Sequence, residues 1–87
     1  MKLWLLRPAD GLYGVNNPWG GVYLWDKAKG FVVRAETEEA ARYVANNNAG
    51  DENDEVINPW LDGKYSTCVE LTSDGEEGLI LRDYFNG

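Results

Sequence analysis

The chain has 87 residues, 44% of them apolar and 13% aromatic, and a formal net charge of −7. These values fit one globular domain with a modest core and exclude the low hydrophobicity of a disordered chain. The charge disfavours nucleic acid and anionic membrane as direct partners, because phosphate binding runs on Lys and Arg.

Lys2–Arg7, "KLWLLR", is apolar, short and stopped by Pro8, which predicts a strand buried on both faces. Its apolar run, Leu3–Leu6, is shorter than an export signal needs, and no run approaches membrane-spanning length, so a cytoplasmic protein is expected. Residues 8–21 carry four Gly, Pro8, Pro18 and Asn16-Asn17, the chemistry of a long loop. Residues 21–25 read as a strand, 26–30 as a turn and 31–36 as a strand, the two strands forming a hairpin.

The segment 37–50, "TEEAARYVANNNAG", predicts the one helix, over about residues 38–49. Thr37 suits the cap, Glu38 and Glu39 the positive end of the dipole, and Gly50 a left-handed stop. Ala41, Val44, Ala45 and Asn48 share a face at the helical period, with Ala40 and Tyr43 beside it. Residues 51–64 read as an acidic loop. Residues 65–71 alternate Tyr65, Thr67, Val69 and Leu71 against Ser66, Cys68 and Glu70, a strand covered mainly on one side. Residues 72–78 form a turn, and 79–85 a closing strand paired with 65–71. The fold class expected is α+β: a single mixed or antiparallel sheet of four to five strands packed against one helix, with a parallel crossover from 31–36 through the helix to 65–71.

Charge is unevenly spread. Residues 1–35 sum to +3, residues 36–77 to −10, and residues 78–87 to zero. The middle segment suits a basic partner or serves solubility alone. There is no histidine, which removes the commonest general base and metal ligand. Neither the phosphate-loop nor the dinucleotide glycine pattern occurs. Cys68 is the one cysteine, so no intrachain disulfide forms, and its strand position predicts an inert packed thiol.

Asp51 to Asp62 spaces oxygen ligands somewhat as a calcium loop does. Val56 occupies the position that needs glycine, and Pro59 stands at another ligand position, so no metal is expected. Neutralising Asp51, Glu52, Asp54 and Glu55 together is expected to leave stability unchanged or slightly improved, since like charges so close repel one another. Asn-Pro-Trp occurs twice, at 17–19 and 58–60. Either each turn returns its Trp to the core, or Trp19 and Trp60 are exposed anchors for a partner.

The stretches "GFVVRAETEEAARYVANNNAGDE", "YSTCVELT" and "DGEEGLILRDY" resemble a family of short, uncharacterised bacterial and phage-borne chains. These open on a strand like "MKLWLLRP" and keep the same strand–helix–NAGDE order. The resemblance spans most of the chain outside residues 8–25 and implies no active site. In size, acidity and aromatic content the chain is also similar to small acidic phage proteins that block host defence systems, such as anti-CRISPR proteins. That class implies a host-cell cytoplasmic location.

The reading that follows is a non-enzymatic binding protein without cofactor. Its partner is a basic protein surface, that of a host defence complex under the phage resemblance. Glu36, Glu38, Glu39, Asp51, Glu52, Asp54 and Glu55 stand in for phosphates, with Trp19 and Trp60 as anchors. A second reading is an interaction module that homodimerises by sheet-edge pairing, its acidity serving solubility. A third is an unrecognised carboxylate enzyme.

Overall fold

The computed structural model describes residues 1–10, 17–19 and 26–82, and for residues 54 and 55 the backbone alone. Three strands form one antiparallel sheet: β1 (Lys2–Pro8), β2 (Phe31–Ala35) and β3 (Ser66–Leu71), in the order β2-β1-β3. β1 is central. Trp4 lies opposite Val33 and Glu70, and Leu6 opposite Phe31 and Cys68. Because β2 and β3 both run antiparallel to β1, they are parallel to each other. The crossover between them therefore has the expected direction, but it passes over β1.

The fold is α+β with one main helix, α1 (Glu38–Asn47). A four-residue turn of helix, α2 (Glu52–Glu55), and a 3-10 turn (Pro59–Leu61) occupy what the sequence predicts as an acidic loop. Among the described residues the sheet has three strands, not four or five. Residues 79–82 carry no strand, while the rest of the predicted closing strand and the whole of 21–25, with its hairpin, lie outside the described residues.

α1 begins as its sequence predicts. Thr37 is extended (φ −135°, ψ 163°), and its hydroxyl accepts from the Ala40 amide at 3.2 Å. Its end differs. The helix stops at Asn47, and the side-chain amide of Asn48 donates to the Val44 carbonyl at 2.8 Å. Gly50 is not left-handed; Gly75 is the one glycine with positive φ among the described residues. A close approach makes Gly50 necessary instead. A Cβ there would sit 1.8 Å from the Asp26 carbonyl oxygen, which accepts from the Asp51 amide at 2.8 Å.

The core is Trp4, Leu6, Trp19, Val33, Ala35, Ala41, Ala45 and Trp60. It fills the space between α1 and the inner face of the sheet. The two alanines let the helix approach closely, while Val44 and Tyr43 are exposed. Val44 and Asn48, predicted to share the packed face with Ala41 and Ala45, are exposed, and two strand expectations also reverse. β1 is covered on one face only, since Leu3 is exposed on the other. In β3 the polar row turns inward: Ser66 is fully buried and Cys68 half-buried, while Val69 is 57% exposed. Ser66 supplies the reason, because its hydroxyl donates to the Pro59 carbonyl at 2.8 Å and accepts from Arg42 at 2.8 Å. Buried hydrogen bonds outweigh the row's modest apolar content.

Candidate partner-binding site

The two Asn-Pro-Trp turns converge. Asn17 Oδ1 accepts from the Trp19 amide at 3.0 Å, closing the first turn. Asn58 adopts the left-handed region (φ 51°, ψ 54°) and leads into the 3-10 turn of Pro59–Leu61. The Trp19 and Trp60 rings then meet edge to face at 5.0 Å, and Phe31 packs edge-on against Trp60 at 4.9 Å. Trp60 has no exposed surface and Trp19 is 9% exposed. The indole of Trp19 donates to the Ala28 carbonyl at 2.8 Å. Their assignment as partner anchors is corrected: both belong to the core, and their polar atoms are satisfied there.

Glu52 is corrected likewise. It is fully buried. Oε2 accepts from the Trp60 indole at 2.5 Å, and Oε1 accepts from the Ala28 and Gly50 amides, each at 3.0 Å. Four adjacent acids do not form one surface, because the second of them is a structural acceptor. Asp51 is exposed. The side chains of Asp54 and Glu55 lie outside what is described.

The remaining predicted acids divide between the ends of α1. Glu36, Glu38 and Glu39 are exposed at its start, and Asp51 lies beyond its end. Ten helical residues separate the two groups by about 15 Å. At the start, Glu38, Glu39, Arg42 and Tyr43 of α1 line an open groove of about 510 Å³ with Leu61 and Gly63 of the facing segment. Its floor is held by Arg42, whose side chain is 11% exposed. The guanidinium donates to Glu38 Oε2 and the Trp60 carbonyl, each at 3.0 Å, and to Ser66 Oγ at 2.8 Å and its carbonyl at 3.2 Å. Arg42 is thus spent internally and engages one oxygen of Glu38, which leaves the groove's outer rim to Glu39, the other Glu38 oxygen and the half-exposed Tyr43 ring.

Sequence reasoning passes over Arg42, Leu61 and Gly63 and sets Tyr43 beside the packed face of the helix, whereas it is 51% exposed. The spacing of Glu38 and Arg42, four apart on a helix, was a signal for one pair only. Arg42's further partners lie 18 and 24 residues away.

Among the described residues, no three His, Cys, Asp or Glu side chains gather as a metal-ligand set, and no helix is long and apolar enough to cross a membrane. No protein-family model, curated protein or solved structure matches this chain.

Proposed function

We propose that the protein is a non-enzymatic binding module that presents the start of α1 to a basic protein surface. The observation that carries this reading is the groove rimmed by Glu38, Glu39 and Tyr43 over a floor whose one arginine is internally satisfied. A lysine or arginine side chain entering it meets Glu39, the Glu38 oxygen that Arg42 does not engage and an aromatic ring, with Glu36 alongside. The candidate surface is smaller than the sequence suggests, since the acid Glu52 and the two predicted anchors, Trp19 and Trp60, are buried. The resemblance to small acidic phage proteins makes the nucleic-acid-binding face of a host defence complex the target class, with the glutamates in place of phosphates.

The test is titration of the isotope-labelled protein with a hexa-arginine peptide at low and high salt. Saturable shifts centred on Glu38, Glu39 and Tyr43 are expected, lost at high salt and weakened about tenfold in a Glu36→Gln/Glu39→Gln variant, as two removed charge contacts imply. Shifts scattered over every exposed acid, or unchanged in the variant, would show that the groove is no site.

A further inference from the structure

The outer face of the sheet has a character opposite to the rest of the chain. Val32 and Val69 flank Leu5 in register on either side, and each is 57% exposed. Leu3 extends the apolar row. The charged residues that the strand alternation places on this face are Arg7 and Arg34, and no acid of the three strands joins them. A protein of net charge −7 therefore keeps one apolar face edged by arginines. Exposed apolar rows with a charged edge mark interaction surfaces.

One described segment beyond the sheet and the turn into β2 reaches this face. Leu81 joins Leu5, Arg7 and Val32 around a depression of about 320 Å³. The residues before it, Leu79 and Ile80, are 78% and 74% exposed, and Glu76 and Glu77 precede them, also exposed. Two acids followed by three aliphatic residues complement a row of aliphatic residues edged by two arginines. Two copies packed face to face would bring arginines together with no strand acid on either face to meet them.

We propose that the outer sheet face is the docking site of the chain's own C-terminal segment, Glu76–Arg82, with Leu81 as its anchor. Of the three aliphatic residues, Leu81 alone reaches the face in the structure; on docking, Leu79 and Ile80 close over the Val32–Leu5–Val69 row and the glutamates meet the arginines. This does not rest on the reading of the groove, which lies on the helix side of the sheet, so either idea can fail alone.

Methyl-resolved NMR of the full chain tests it. In a Leu79→Ser/Ile80→Ser/Leu81→Ser variant, the Leu5 and Val32 methyl resonances are expected to move while those of Ala41 and Ala45 stay. A synthetic peptide of residues 74–87, added to that variant, is expected to return them toward their original positions, less effectively at high salt. Unmoved Leu5 and Val32 methyls, or a peptide without effect, would overturn the proposal. So would shifts that track protein concentration alongside dimer formation in sedimentation, since a second copy would then be the occupant. Should the variant lose its Ala41 and Ala45 signals, the unaltered chain decides: Overhauser contacts from Leu79 or Ile80 to the Val32 or Val69 methyls support docking, and their absence overturns it.

Discussion

The indole N–H of Trp60 donates to one oxygen of Glu52, while the other oxygen takes the amides of Ala28 and Gly50. One buried carboxylate thus ties together the turn before β2, the exit of α1 and the second Asn-Pro-Trp turn. A charged side chain persists in an apolar interior only with such full satisfaction. The same bonds take Glu52 out of the acidic surface and fix the ring against which Trp19 and Phe31 pack.

Glu52→Gln keeps the shape but turns an amide donor toward either Trp60 or the two backbone amides. A stranded buried donor costs about 1–3 kcal/mol. The expected loss is roughly 2–3 kcal/mol, and at this size each kcal/mol moves Tm by about 4–8 °C. Asp51→Asn, one residue away and exposed, should leave the denaturation midpoint unmoved. The four-fold neutralisation of Asp51, Glu52, Asp54 and Glu55 should therefore destabilise, contrary to what the charge pattern alone implies. Coincident urea curves for the two single variants would refute the structural role of Glu52.

Gly50→Ala tests the close approach at the exit of α1. The new methyl collides with the Asp26 carbonyl, and relieving that collision strains the Asp51 amide bond to the same oxygen. Overpacking of this kind costs roughly 1–3 kcal/mol. Gly78→Ala meets no atom within 4 Å and serves as the control. If the two alanine variants melt together, the contact with Asp26 is not a constraint.

Local chemistry was legible and long-range partnership was not. The Thr37 cap and the three strands fall within a residue or so of where periodicity and turn residues put them. The inward row of β3 could not be read, because Thr67, Val69 and Leu71 are the more apolar set, yet Ser66 is drawn in by Arg42 and Pro59. Likewise Asp51, Glu52, Asp54 and Glu55 look alike in sequence. What singles out Glu52 is a donor at Ala28, 24 residues before it, and another at Trp60. Gly50 was correctly marked as special, for the wrong physical reason.

Arg42 joins α1 to the 3-10 turn and β3 through carbonyl and hydroxyl acceptors that no single ammonium can reach together. Arg42→Lys should therefore destabilise by about 1–3 kcal/mol, the cost of buried acceptors left without donors. Glu38→Gln removes a half-exposed partner and should change stability little. Guanidinium chloride unfolding of both variants checks this. A lysine variant as stable as the parent would mean that water replaces the fork at no cost.

Burial pushes the Cys68 thiol above its ordinary value. Arg42 opposes that rise and Glu38 adds to it. The folded chain consequently holds the thiol proton more tightly than the unfolded one. The associated stability is complete below the ordinary thiol range and is lost as pH rises through the folded value. Since the thiolate is the reactive species, alkylation of the native protein with iodoacetamide should be slow at neutral pH. Its rate should rise with an inflection above that of the same chain in urea. The alkaline fall in stability should also flatten in Cys68→Ala. A native inflection at or below the unfolded one, together with fast native alkylation, would mean that the thiol is exposed, and the inward orientation of Cys68 would have to be abandoned.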